Sequence, residues 1–565
     1  MSPHQTYEEI NSYVVFWGLF FSVLFALAVG YLCLKIGQTV DAFAPVSVLA
    51  MGMAVLFHRR NAFPETVHIQ AIASAGTNII GGAMFILPAL YILNIEDVSF
   101  LEMAIPIVLG GVLGVFLATV FRRYFCEEMD GVYPFPSGSA AAEVLESDEG
   151  SKAHIMLVSG AVALVYDFVL NSRGWWQELL TTTTFHWGQV LADKYKLVFS
   201  LDNDAALLGI GMLAMSGIIG LLSMSGVVVR VVKRAVADLF SKGASSSGML
   251  LRTQQDLPMT QIVFGSLLMT ILFAVFFHVM CAESLTQTVI AFVLVMLFAL
   301  MLSVVGISSI AFTGNEPVSG MTIFMIIVSA VVMGGAGMAG KTGIIAILMM
   351  AAFLCATLAV SGNFMSELKV AYITGATPKK MQQWQLVSIV LAGVVSVGVV
   401  FLMHHAYGFT GEGALAAPQA NAMAAIVKPM MDGGDAPWPL YMAGAFFAVL
   451  LWMMKIPPLA FALGSYLPMG INTPVLVGGL ISYFVSHSSD DAKVNAKRLS
   501  EGNTVASGFV AGGAIGSLIS AVLHIAGIDW FAKAWAASPA ATFAGIVAYF
   551  VLCIFLYAMA KRAVK

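Results

Sequence analysis

Charge is what this sequence lacks most. Only 10% of its 565 residues are Asp, Glu, Lys or Arg, while 59% are hydrophobic; ordinary soluble proteins carry roughly 25% charged residues. A chain so poor in charge cannot clothe a water-exposed surface. Cysteine is equally sparse: Cys33, Cys126, Cys281, Cys355 and Cys553 are scattered without CxxC or Cys/His spacing. That excludes a disulfide framework and a thiolate metal cluster. The net charge of −4 offers no basic surface to nucleic acid. There is no P-loop, no His-Glu-x-x-His, no Gly-x-Gly-Asp and no aspartate-rich diphosphate motif. ATP-driven pumping would therefore need another subunit, a membrane enzyme would have no visible chemistry, and no cofactor is called for. An ion channel would show filter-like repeats.

Apolar length is what the chain has instead. A run of about 18 or more apolar residues is a membrane-span candidate, and about 14–16 spans are expected here. They begin with Ser12–Leu34 and end with Thr542–Ala560. The 53 glycines suit closely packed membrane helices. The 33 methionines read as adaptable packing residues in preference to metal ligands. Met1–Asn11 carries Glu8 and Glu9 but no Lys or Arg, unlike a signal peptide, and reads as a short tail before a retained span. Basic loops face the cytoplasm. Placing Arg59/Arg60, Arg122/Arg123, Arg230–Arg252, Lys379/Lys380, Lys493–Arg498 and Lys561–Lys565 inside is mutually consistent. Both termini then lie on the cytoplasmic side of the cell's inner membrane. The loop Asn171–Asp204, with Trp175, Trp176 and Trp187, lies outside.

One stretch breaks the apolar pattern in a telling way. Thr313-Gly-Asn-Glu-Pro-Val-Ser-Gly-Met-Thr322 separates the apolar runs Val289–Ile310 and Ile323–Met333. Polar backbone at membrane depth is tolerated only inside protein or beside a watery cavity, so a Gly/Pro break points to a transport site. Asn315 can cap the following helix and Pro317 suits its first turn.

The chain also reads as two related halves, 1–260 and 261–565. Ala44-Pro-Val-Ser47 parallels Glu316-Pro-Val-Ser319, and Pro136-Ser-Gly-Ser-Ala-Ala-Ala142 parallels Pro418-Gln-Ala-Asn-Ala-Met-Ala424. The second pair reads as short re-entrant elements entering from opposite faces, an inverted arrangement suited to alternating access.

Taken in order, several motifs resemble the oligopeptide transporter (OPT) family, including its yellow stripe-like branch. They are Ile72-Ala-Ser-Ala-Gly76, Tyr133-Pro-Phe-Pro-Ser-Gly-Ser139, Gly314–Thr322, Glu367-Leu-Lys369 with Gly375-Ala-Thr-Pro-Lys379, Ala417-Pro-Gln-Ala420, Gly464-Ser-Tyr-Leu-Pro468 and Ala506-Ser-Gly508. Glu367 stands where the family has Asp, and Lys379 where it has Arg. The long polar N-terminal extension of the eukaryotic peptide branch is missing, as in a compact prokaryotic member. The resemblance implies proton-coupled symport into the cytoplasm. Its solutes would be small peptides, or metal held by siderophore- or nicotianamine-like chelators, and the protein would be a homodimer.

Ionisable residues within spans are expensive and mark function. Glu316 ranks first, for proton coupling or for a substrate amine, and burial there favours its neutral form. Glu143 ends the Pro136 piece and reads equally as a surface carboxylate beside Glu146. Asp167 lies in the apolar run His154–Leu170, near its outer interface. Glu367 is a further coupling candidate. Lys369 either attracts a substrate carboxylate or snorkels to the cytoplasmic surface. Glu65 and His68 precede the third span and read as interfacial. Asn315, Ser319, Thr322, Ser137, Ser139, Gln419 and Asn421 supply neutral donors and acceptors for a peptide or chelate, and helix N-termini favour a substrate carboxylate.

Overall fold

The structure is a computed structural model. It describes residues 1, 7–37, 39, 43–130, 132–133, 135, 138–139, 141–142, 145, 150–195, 197–205, 207–208, 251–313, 316, 318–411, 414–432, 438–454, 461, 469–526, 528, 530–536 and 538–562. The basic loop from Arg230 to Lys242 and the motif Gly464–Pro468 lie outside the described residues.

In chain order the helices are α1 (Ser12–Ile36), α2 (Phe43–Leu56), α3 (Ala62–Asn78), α4 (Ile80–Met84), α5 (Pro88–Ile92) and α6 (Phe100–Arg122). A π-helical turn, Arg123–Glu128, extends α6. Next come α7 (Gly150–Arg173) and α8 (His186–Tyr195), with strands β1 (Leu179–Thr181) and β2 (Ser200–Asp202) paired antiparallel on either side of α8. The chain continues with α9 (Met259–Met280), α10 (Leu285–Thr313), α11 (Val318–Gly335), α12 (Gly340–Thr374), α13 (Pro378–Tyr407), α14 (Pro418–Met431) and α15 (Trp438–Met453). It closes with α16 (Met469–Ser486), α17 (Ala492–Ile525), α18 (Lys533–Ala536) and α19 (Pro539–Arg562). Among the described residues, eight helical segments are long and apolar enough to cross a bilayer, and three apolar helices are shorter. The chain is an all-α polytopic membrane protein, with a small ribbon in the tryptophan-rich loop.

The third span is apolar over Ala62–Ile92, as expected, but its helix is interrupted: α3 ends at Asn78, and the chain turns at Phe85–Leu87 between α4 and α5. Gly81 and Gly82, poor helix residues, mark the break. Elsewhere a helix runs on through polar residues, Ser361, Asn363, Glu367 and Lys369 among them. α12 runs on to Thr374 and stops at Gly375, which takes the left-handed conformation (φ 73). Pro378 then opens α13, so only three residues separate the two helices. Of the polar residues in this part of α12, Asn363 and Lys369 are partnered by other elements, as below.

The first compact unit comprises Met1–Ser147 and Leu221–Phe461. α12 is its centre, 94% buried over its most apolar window, as expected of a helix apolar on all sides. It lies against α6, where a Cβ on Gly110 would intrude on the Phe353 carbonyl and Thr357 Oγ1 donates to the Gly110 carbonyl at 3.0 Å. One end of this unit is tied by ion pairs. Glu9 is fully buried, contacting Arg252, Lys380 and Thr377. Glu65, also buried, takes Arg59 through both oxygens (2.6 and 2.8 Å) and Asn11 at 2.8 Å. That pairing holds the Arg59 guanidinium above its ordinary pKa. Glu65 and His68 are both buried within the protein, Glu65 beneath Arg59 and Asn11 and His68 beside Glu9.

Arg122 is 1% exposed and reaches Asp256 (2.5 and 2.6 Å) and Glu127 (2.8 Å). Replacing it with Met strands Asp256 and Glu127 without their cation. Breaking a buried pair from one side costs about 3–5 kcal/mol. Thermal unfolding in detergent should therefore show a clear loss of Tm, and an unchanged Tm would refute the role.

The second unit comprises Asp148–Gly220 and Ala462–Lys565. Its axis is the pair α7–α17. Gly508, Gly512 and Gly516 recur every four residues on α17, and a Cβ on Gly512 would fall on the Gly160 carbonyl of α7. Small residues at this spacing let membrane helices touch through their backbones. Asn171–Ser517 (3.1 Å) and Ser172–Ser520 (2.5 Å) add polar ties.

Candidate functional site

The site is built on one side of α12, where Cys355, Ala359, Asn363 and Glu367 occupy successive turns. Cys355, Ala359 and Asn363 meet broken elements of the first unit. Cys355 Sγ lies 3.4 Å from the Gly81 carbonyl of α4 and 3.4 Å from Thr322 Oγ1 of α11. A Cβ on Gly81 would touch Thr39, Val318 and Ala359 at 3.5–3.6 Å. Asn363 Nδ2 donates to Glu316 Oε2 at 2.7 Å. The links α1–α2, α3–α4 and α10–α11 thus converge on the middle of α12. In a bilayer such convergence is how irregular backbone is tolerated.

Glu316 is half-buried in the α10–α11 break. One turn past Asn363, Glu367 is fully buried. Thr322 is buried and donates to the Val318 carbonyl (2.6 Å). Gln419 is buried at the start of α14, where its Nε2 donates to the Gly37 carbonyl (3.1 Å). Asn421 caps the same end through the Ala416 carbonyl (2.8 Å). Ser139 donates its amide to the Phe135 carbonyl (2.7 Å).

Lys369 is held toward the ion-paired end. It donates to Asp130 (2.5 Å) and to the Cys126 carbonyl (3.3 Å) within the π-helical turn. Asp167 belongs to the second unit, where it accepts the Ala205 amide at 3.1 Å and so caps the chain after β2. Asn315, Ser137, Glu143 and the side chain of Ser319 lie outside the described residues. Asn363 escaped the sequence reading because its partner, Glu316, comes from a distant break.

The two short elements are placed by matching contacts. Phe135 and Ala417 each precede the proline of their element, and each has a left-handed backbone (φ 43 and 35). The Phe135 amide donates to the Ala311 carbonyl, and the Ala417 amide to the Leu34 carbonyl, both at 2.9 Å. Ala311 and Leu34 each lie two residues from the end of their helix, α10 and α1. Each short element therefore hooks onto the helix that precedes the break in the opposite half of the sequence.

A buried helix met by broken elements, with a carboxylate in one break, is the kind of site a membrane transporter uses. The chain belongs to the OPT family: the family model described as "OPT oligopeptide transporter protein" matches residues 9–232 and 200–524. It is similar to a Haemophilus influenzae protein named "Putative oligopeptide transporter", with 22% identity over 88% of this chain and 93% of that protein. A second relative is the Arabidopsis thaliana "Probable metal-nicotianamine transporter YSL5". Identity there is 30%, but over 30% of this chain and 25% of that protein.

Proposed function

We propose that this transporter is a secondary carrier that takes small oligopeptides into the cytoplasm together with protons. Glu316 is the group that loads and releases the proton. The observation that carries this reading is the Glu316–Asn363 hydrogen bond. It ties an ionisable side chain in a helix break to the buried central helix, so a change of charge at Glu316 alters how the break sits on α12. A neutral carboxyl loses the charge-assisted part of that bond. Glu367, next along the same side, is the candidate relay.

In this reading the breaks and short elements of the two halves form the two gates of alternating access. Both termini face the cytoplasm, and a homodimer in the inner membrane is the working unit. The matched contacts of Phe135 and Ala417 support the repeat. The local likeness to YSL5 favours a second reading, uptake of a metal chelate through the same site.

Purified protein in liposomes decides between them. Labelled di-, tri- and tetrapeptides, glutathione included, and iron chelates are offered with and without an inward proton gradient. Peptide uptake that is stimulated by the gradient and indifferent to added metal is the expected result. Uptake that stops when metal is withheld would replace it with the chelate reading.

A further inference from the structure

α3 carries a polar line that the protein itself leaves unmet. Gln70, Ser74 and Asn78 follow at four-residue intervals, so they stand on successive turns of one side. Gln70 is 0% exposed and Asn78 1%. Ser74 Oγ donates to the Ala71 carbonyl at 2.8 Å. Among the described residues, however, neither Oε1 nor Nε2 of Gln70 has a hydrogen-bond partner, nor has Nδ2 of Asn78. Buried polar groups in folded proteins are nearly all partnered, and in a bilayer no bulk water stands in for the missing partner.

The neighbours show where this line leads. Val67 and Ala71, on either side of Gln70, pack with Val370 and Ala371 of α12 and with Ala141 and Ala142 of the first short element. Beyond Asn78 comes Gly81, beside Thr39, Val318 and Ala359. From α12, Ser366 Oγ is likewise buried and unpartnered, and its carbonyl lies 2.9 Å from where a Cβ on Gly138 would stand. The line therefore runs from the short element toward the break that holds Glu316.

We infer that Gln70 and Asn78 form an amide-reading wall of the substrate site, pairing with the peptide bonds of a bound solute. This rests on the proposed peptide uptake and specifies which side chains read the backbone. A carboxamide offers an acceptor oxygen and a two-proton donor. A peptide bond presents one N–H and one C=O, so a single bond can satisfy both ends of Gln70. A chelate presenting carboxylate oxygens would meet the donors and leave Gln70 Oε1 bare. Ordered water offers the same donors and acceptors as a peptide, and the test separates the two.

Uptake of a tripeptide and of its backbone N-methylated analogue is measured in liposomes for wild type, Gln70→Met and Asn78→Leu, with Tm taken without solute. Wild type should take up the parent with a KM about tenfold lower than the analogue, the scale of one hydrogen bond. Gln70→Met should raise the parent KM to the level of the analogue while Tm holds or rises, because an unpartnered polar group has become apolar. Asn78→Leu should show the same pattern independently. A variant pair that keeps the discrimination overturns the wall. So does a fall in Tm at unchanged KM, which would assign the carboxamides to structural water. Wild type that takes up chelates and no peptide overturns the peptide reading, and the wall with it.

Discussion

Glu316→Gln abolishes the stimulation of uptake by an inward proton gradient and leaves the protein folded. Gln matches Glu in size and can still accept from Asn363, whose amide lies 2.7 Å from the carboxylate. What it cannot do is change charge with a proton, and that is the only property the substitution removes. Uptake driven by the solute's own gradient should persist, and Tm should stay near that of wild type. Asn363→Leu is the companion variant. Removing a donor from the carboxylate disfavours its charged form, so half-maximal uptake moves to higher pH while gradient stimulation survives. Equal stimulation of wild type and Glu316→Gln would show that the carboxylate serves only as a structural tie.

Gly76→Val unfolds the first unit or prevents its assembly. A Cβ at Gly76 would fall on the carbonyl carbon and oxygen of Ser22, well inside contact distance. The obstacle is the backbone of α1, which cannot swing away as a side chain can. Overpacking costs about 1–3 kcal/mol where neighbours can shift, and here the cost lies at or above the top of that range. Ser388 of α13 is tied to the same place, donating to the Ile72 carbonyl at 2.7 Å and lying 3.1 Å from Ser22 Oγ. Separating α1 from α3 therefore disturbs α13 as well. Yield of monodisperse protein in detergent is the measurement; normal yield and Tm would refute the close passage.

Residue chemistry that acts locally was legible in the sequence. The polar break around Glu316, the glycine of Ile72–Gly76 and the paired Pro-containing elements all stood out against an apolar background. Contacts made between distant helices were not. That Ser361–Thr374 is polar shows in the sequence, but not that it is buried helix whose Asn363 and Lys369 are met by Glu316 and Asp130. Asn363 was passed over for that reason. The tail residue Glu9 is fully buried against the cations of Arg252 and Lys380, which nothing local in the sequence shows. Asp167 stood out as an ionisable residue in an apolar run, but that it accepts the Ala205 amide was not legible there. Nor does composition announce that Phe135 and Ala417 share a left-handed backbone, a conformation usually left to glycine.

The crossed hooks at those two residues have a consequence for biogenesis. Phe135 meets Ala311 across 311 − 135 = 176 residues, and Ala417 meets Leu34 across 417 − 34 = 383. The last turn of a helix needs outside partners for its carbonyls, and the one for Leu34 is among the later parts of the unit to be synthesised. α1 therefore enters the membrane long before its end can be finished. Chains made N-terminus first leave such surfaces open to wrong partners or quality control until the missing segment arrives. A chain cut between the halves would yield two pieces, each holding a hook that fits only the other. Co-expression of the pieces, not either alone, is the route by which the first unit would be rebuilt.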